Sequence, residues 1–545
     1  MKLKMLSAAV AGLVMAGAAQ ASVSTGVTPV IPAASFSVNL AGSSAQDKAI
    51  TEILSSDVCS SLVIFKDNYG GTSTSSSNWG GRWAAYYCTI NPSSTLAKTY
   101  GVAGDSFVIN KRSAGGSGYG IMPLVDNAAG TGATQFAVNF MQVKAANCTM
   151  QDTSGTKLIL GNGTTSAFTT YGCTASETIG TTAGTNTFQA IPDAGIADTN
   201  PDLYFGANQV LDFGTSPDAT DIATLNVTSA AALVFGVPVT YDLYQALQVA
   251  QGLVAGGCTL GAYASASAVD GCMPSLSRNQ LAALVSGNVQ TWSQLQFGGT
   301  DLITAAKAGG VAVPGDNFVH YCQRTSGSGS AAITYAKLLN NPCNANAVSP
   351  ATSQVKGPKV AAMYETVDME QCLDDLQNGT STAKDYVTKG TVNAGVKAWG
   401  LGQISADKNV YSSSNITNGY PTGYSRGYRF IKIDNVSPTL QNTFNGAYPF
   451  WAQSSWVVSN GANAPTGNVA NTITLLQKNA TTGKYLQYTA AGQQFGTSGY
   501  LGLPDNNAVT ATLTASNPVI PFTHPAGDNC AVPTPFTPSE TLTVK

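Results

Sequence analysis

The chain is poor in charge. Asp, Glu, Lys and Arg make up 10% of its 545 residues, and the formal net charge is −3. It has no basic face of the kind that non-specific nucleic-acid binding needs, so no nucleic-acid partner is expected. Histidine is nearly absent, with His320 and His524 as the two examples. Each reads as a surface or packed residue. No Cys-x-x-Cys pair occurs, and no Gly-x-Ser-x-Gly elbow has a histidine partner. These absences argue against a structural zinc site, a metal-dependent phosphatase and a histidine-based catalytic centre. No metal, no cofactor and no turnover are expected. Beyond the N-terminus, no run is long and apolar enough to suggest a membrane span.

What is present begins with an export signal. Lys2 and Lys4 precede an almost wholly apolar or small stretch from 5 to 18, and Ala19-Gln20-Ala21 has the form of a cleavage site. Residues 1–21 are therefore read as a signal peptide, and the mature chain as periplasmic or extracellular. No cysteine follows the cleavage site, so no lipid anchor is expected. Loss of Lys2 and Lys4 takes the formal charge from −3 to −5. The ten cysteines suit an exported, disulfide-containing protein. Neighbour spacing suggests pairs 59–88, 148–173, 258–272 and 322–343, leaving 372 with 530.

One construction repeats. In "SFSVNLAGSSAQDKAITEIL" (35–54), Phe36, Val38 and Leu40 alternate with polar residues, as in a strand. Gly42, Ser43 and Ser44 follow, and then a helical pattern through Ile50, Ile53 and Leu54. "VHYCQRTSGSGSAAITYAKLLN" (319–340) has the same order of strand, small-residue loop and helix, with Arg324 at the strand end. A third loop, "NKRSAGGSGYGIMPL" (110–124), follows the strand-like "DSFVI". Small residues at a helix mouth free backbone N–H groups and hydroxyls for an anion. Arg324 would add a planar, fixed positive charge. One such loop alone is more often a plain connector; three in one chain suggest a common target.

These residues resemble the periplasmic phosphate-binding proteins, the substrate-binding subunits of phosphate ABC transporters. "RTSGSGS" (324–330) resembles that family's R-x-x-G-S-G-T signature, and "LAGSSAQ" its first phosphate loop. "DAGIADTNP" (193–201) is similar to the segment carrying the family's buried aspartate. "LSRNQLAALVSGNVQTWSQL" (276–295), "YRFIKIDNVSPTLQNTFNGAYPFW" (428–451) and "LQYTAAGQQFGTSGYLGLP" (486–504) resemble further segments in the family's order. The likeness runs from about 35 to 505. Departures are Ser326 where an acidic residue is frequent, Ser330 for threonine, and Ala197 for serine.

The resemblance implies an α/β, two-lobed type 2 periplasmic-binding-protein fold, disulfide-containing, with a ligand cleft between the lobes. Lobe one would hold 22–236, with an insertion at about 125–192, and a return part 428–505. Lobe two would hold 237–427, and 506–545 would be a C-terminal extension without a counterpart. The implied ligand is inorganic phosphate or a similar oxyanion. Its site would comprise Ser43, Ser44, Ala45, Ser113 or Ser117, Asp198, Arg324, Gly327, Ser328, Gly329 and Ser330. Asp198 would accept the proton that phosphate carries and that sulfate lacks at neutral pH. Read without the resemblance, Asp198 is a turn or N-cap aspartate in "ADTNPD". Asp47 and Asp202 read as helix-start and turn residues, Asp434 as structural, and Trp292, Trp399 and Trp451 as packing. A monomer is expected, serving an ABC permease. The alternative is a secreted or surface-attached structural or adhesion protein that keeps the fold without transport.

Overall fold

A computed structural model describes residues 23–544 except 69–78, 103, 105, 130–136, 154–155, 159–164, 178–183, 214–215, 263–269, 394, 409–415, 418–419, 422–426, 462–463, 486–499, 505–508, 515–517 and 537–542. The signal segment 1–21 and most of the 486–504 segment lie outside the described residues.

The architecture is mixed α/β around two sheets that share one long strand. The first sheet takes β1 (Phe36–Gly42), β2 (Cys59–Asp67), β3 (Trp83–Ile90), β4 (Ser106–Arg112), β5 (Met150–Asp152), β6 (Thr169–Cys173) and β7 (Ala194–Ala197). Next comes the 16-residue β8 (Leu225–Thr240), whose first part pairs in this sheet and whose last part pairs in the second. The second sheet adds β9 (Ser275–Leu276), β10 (His320–Arg324), β11 (Lys359–Met363), β12 (Gly400–Gly402) and β13 (Tyr428–Ile433). Strand β14 (Trp451–Ser459) then returns to the first.

The spatial order in the first sheet is β5-β6-β2-β3-β4-β1-β7-β14-β8. In the second it is β9-β13-β8-β12-β10-β11. The chain therefore crosses between lobes twice as strand, near Val234–Phe235 and near Phe450–Trp451, where the Phe235 N–H donates to the Phe450 carbonyl at 3.0 Å. Because β13 pairs with Val237–Thr240, residues 428–433 belong to the second sheet.

Local sequence accounts for the elements. Val38 and Leu40 are buried on β1 and pack with Ile50, Ile53 and Ile109 in one core. Helix α1 (Asp47–Ile53) starts at Gln46, whose amide donates to the Ser454 hydroxyl (2.9 Å) and accepts from the Trp456 indole (2.6 Å). Helix α2 (Tyr241–Ala250) buries Leu243, Tyr244 and Leu247 against the second sheet. Helix α3 (Arg278–Val285) opens on a capping box: Ser277 accepts from the Gln280 N–H at 3.1 Å, and the Gln280 amide accepts from the Ser277 N–H at 2.8 Å. Removing that hydroxyl in Ser277→Ala is expected to cost about 1 kcal/mol in a denaturant titration. Trp292 and Trp399 meet edge-on in the core and Trp451 is buried, so all three pack as expected.

Five disulfides form: 59–88, 148–173 and 258–272 as expected, but 322–372 and 343–530. The pairings 322–343 and 372–530 are thus corrected. Cys322 lies on β10 beneath helix α5 (Thr366–Asn378), which carries Cys372. Cys343 lies beyond the far end of the helical run 329–339 and meets the C-terminal segment instead.

The 125–192 segment is tied into the first lobe. Arg112, at the end of β4, is 2% exposed, and Glu177 from that segment takes two parallel hydrogen bonds from it at 2.8 Å. The guanidinium also lies over the Tyr119 ring at 4.5 Å. A buried guanidinium needs such a partner, since burying it alone costs several kcal/mol.

Candidate functional site

The three Gly-Ser loops meet in a cleft of about 250 Å³ between the lobes. Its wall includes Ser43, Ser44, Ala45, Ser113, Asp198, Arg324, Ser328 and Ser330. Ser117, Gly327 and Gly329 stand behind that wall and hold its parts together.

Asp198 follows β7 directly and is 7% exposed. Its carboxylate accepts from the Ser43 hydroxyl, and its backbone N–H donates to the Ser117 hydroxyl at 3.0 Å. Gly329 opens helix α4 (Gly329–Thr334) from the other lobe, and a Cβ there would run into the Asp198 carboxylate and the Ser117 hydroxyl. The contact is therefore restricted to glycine. The Gly118 N–H donates across the cleft to the Gly327 carbonyl at 2.8 Å. Gly42 (φ +111°) turns the first loop, and a Cβ there would run into the Ile196 carbonyl and the Gly120 α-carbon. The Ala45 N–H donates to the Ser43 hydroxyl at 3.0 Å. Ser328 is 1% exposed, and its hydroxyl has no hydrogen-bond partner among the described residues.

Arg324 ends β10 and is 6% exposed. Nε donates to the Met363 carbonyl (3.2 Å), Nη1 to the Thr366 hydroxyl (3.2 Å) and Nη2 to the Tyr364 carbonyl (3.0 Å). A guanidinium has five N–H donors, so the terminal nitrogens keep donors for a ligand while the fork is fixed. Burial lowers its pKa, and Asp198 is the foremost group opposing that. Burial raises the Asp198 pKa against the Ser43 hydrogen bond and the Arg324 charge.

Several residues of the site were not among those the Gly-Ser pattern picked out. Lys111 is fully enclosed, and its ammonium donates to the carbonyls of Gly42 (3.2 Å), Ser43 (2.9 Å) and Arg112 (3.0 Å) and to the Ser113 hydroxyl (2.9 Å). Asp47 lies 3.3 Å from that ammonium and accepts from Ser113 at 2.8 Å. Asp47 is thus more than a helix-start residue. Lys111 thus ties the first and second loops together, while the Ser43 and Ser113 N–H groups donate to the Ile196 (2.8 Å) and Arg82 (2.7 Å) carbonyls. The signal for it was the pair Lys111-Arg112 just before a Gly-Ser loop, in a chain with little charge.

Glu365 joins the cleft from a fourth strand–loop–helix unit, β11 to α5, legible in "KVAAMYETVDMEQCL". It pairs with Arg82 at 2.7 Å from the opposite lobe. Burial pushes its pKa up to about 8, opposed mainly by Arg82. A carboxyl raised from 4.5 to about 8 contributes stability that is present below about pH 4.5 and is lost as pH rises through 8. At about 1.4 kcal/mol per pKa unit this is a slope of a few kcal/mol. Glu365→Gln is expected to flatten melting temperature against pH across that window. An unchanged slope would show that Glu365 does not titrate there.

Among the described residues no cluster of His, Cys, Asp or Glu is arranged to hold a metal ion, and no helix is long and apolar enough to cross a membrane. His320 sits beside Asp316 (3.1 Å), and His524 is buried against Trp451; neither faces the cleft.

No family model matches the chain, and no curated protein matches it. Among solved structures, it is similar to an ABC-type phosphate transport receptor from Vibrio cholerae, at 9% identity and TM-score 0.32, over 81% of this chain and 93% of that one. It is also similar to PstS from Borrelia burgdorferi, at 11% identity and TM-score 0.28, over 86% and 98%. A phosphate-binding protein from Stenotrophomonas maltophilia gives 14% and 0.28, over 57% and 74%.

Proposed function

We propose that the cleft binds a tetrahedral oxyanion, inorganic phosphate in the first place, and does not turn it over. The observation that carries this reading is the meeting of Asp198, Ser43 and Gly329 beside the buried Arg324. A buried anion needs a donor on nearly every oxygen. Arg324 offers its terminal N–H groups. Ser43, Ser328 and Ser330 offer hydroxyls, and Ser44, Gly329 and Ser330 offer backbone N–H groups; the Ser43, Ala45, Gly327 and Ser328 N–H groups bond within the protein. Of the two candidates in the second loop, Ser113 lines the cleft with its hydroxyl donating to Asp47 and accepting from Lys111, and Ser117 accepts from the Asp198 N–H.

Asp198 sets the choice of ligand. Facing an anion, a carboxylate is repulsive unless the anion brings a proton. Monohydrogen phosphate and dihydrogen phosphate do, and sulfate at neutral pH does not. With phosphate in place, the Ser43 hydroxyl turns from Asp198 towards a phosphate oxygen, and the phosphate proton replaces it on the carboxylate.

The test is calorimetric titration of the mature chain, freed of bound anion by mild unfolding and oxidative refolding. Phosphate is expected to bind one to one, and sulfate not to bind at neutral pH. A folded chain that binds neither would refute the reading. Export and service to an ABC permease belong to the same proposal. They are tested by sequencing the mature N-terminus and by phosphate uptake in cells lacking the gene.

A further inference from the structure

The segment 518–536, near the C-terminus, runs between the two lobes. On the first-lobe side, the Asn529 amide donates to the Asn200 side-chain oxygen (2.9 Å) and the Gln453 carbonyl (3.0 Å), and accepts from the Gln453 N–H (2.7 Å). The His524 N–H donates to the Gln453 side chain at 3.0 Å, and its ring lies 4.5 Å from Trp451, at the strand crossing itself. On the second-lobe side, the Asn529 carbonyl accepts from the Lys337 ammonium at 2.8 Å. Cys530 is bonded to Cys343, 187 residues earlier. Asn529 and His524 are both fully buried. One residue, Asn529, is thus held through its side chain by one lobe and through its main chain by the other.

The same region is apolar. Ala332 and Ala336 of the second lobe share a buried cluster with Leu203, Tyr204 and Val210 of the first, and Cys343 and Cys530 pack against it. Two strand crossings alone permit a hinge. A third connection, closed covalently and seated in a shared core, does not stretch without breaking buried packing.

We infer that segment 518–536 is a third, covalently fastened crossing that holds the two lobes at one angle, so that ligand exchanges through the cleft mouth without hinge opening. This inference rests on the two-lobed layout and not on which anion binds.

The experiment is amide hydrogen exchange on the full mature chain and on its Cys343→Ser/Cys530→Ser variant. The readouts are the Gly118 and Gly327 N–H groups, which bond across the cleft. Both are expected to be strongly protected in the oxidised wild type and to exchange on the order of tenfold or more faster in the variant. Equal rates would overturn the inference. If the double variant does not fold, Asn529→Ala keeps the disulfide and is expected to move the same two amides in the same direction; no change there would equally overturn it. Small-angle scattering of the wild type with and without phosphate gives a second check. An unchanged radius of gyration is expected when calorimetry on the same sample shows binding, and a ligand-dependent decrease would refute the lock. Failure of phosphate to bind would remove the proposed ligand and leave the exchange result standing.

Discussion

Arg324→Ala is expected to remove phosphate binding to below detection, a loss of at least about 100-fold. Breaking one partner out of a buried, hydrogen-bonded charge pair costs roughly 3–5 kcal/mol, and an anion in this cleft has Arg324 as its fixed fork. The variant should still fold, but at a cost. The Met363 carbonyl keeps the Thr325 N–H at 3.0 Å, but the Tyr364 carbonyl loses its guanidinium donor, and a buried group left unpaired costs about 1–3 kcal/mol. Calorimetry gives the affinity and a thermal melt gives the fold. Arg324→Lys keeps the charge but cannot reach the Met363 and Tyr364 carbonyls and Thr366 together with a ligand, so it should recover only part of the affinity. Unaltered phosphate binding by the alanine variant would put the site elsewhere.

Asp198→Asn is expected to admit sulfate. The change removes the negative charge and supplies an N–H donor in nearly the same volume. Phosphate should weaken because its proton loses a carboxylate acceptor, and sulfate should gain because its oxygen meets a donor. Together these lower the phosphate-to-sulfate preference by roughly 100-fold to 10,000-fold, the range over which matched and unmatched buried polar groups discriminate. The wild type should move the same way as pH falls. Burial raises the Asp198 pKa above the usual carboxylate range, so protonation, and sulfate binding with it, should set in at higher pH than for an ordinary aspartate. Sulfate rejection that persists in the asparagine variant would mean that Asp198 does not read the ligand's proton.

Much of this was legible in sequence wherever neighbours along the chain are neighbours in space. The alternation in 36–40 and the long apolar run through 225–240 became strands. Three disulfides closed between nearby cysteines. Proximity failed for Cys322, because the helix that covers its strand arrives only after a further strand, and for Cys343, which faces the tail. The Gly-Ser loops could be seen because a tight approach leaves a compositional mark. The pairings of Asp47 with Lys111 and of Arg82 with Glu365 left none. Buried charges pair through space, and nothing near Arg82 in the chain names Glu365.

The pairing of Arg112 with Glu177 bears on how this gene can be edited. The segment around 125–192 looks like optional cargo, the first part to trim when reducing the chain to a minimal binder. Yet it carries the counter-charge for a guanidinium at the end of the strand that delivers Lys111 and the second Gly-Ser loop. Excising it would strand that charge within a few residues of the cleft. The segment and the cradle are therefore one inheritable unit, and a shortened version would first have to replace Arg112 with a neutral side chain.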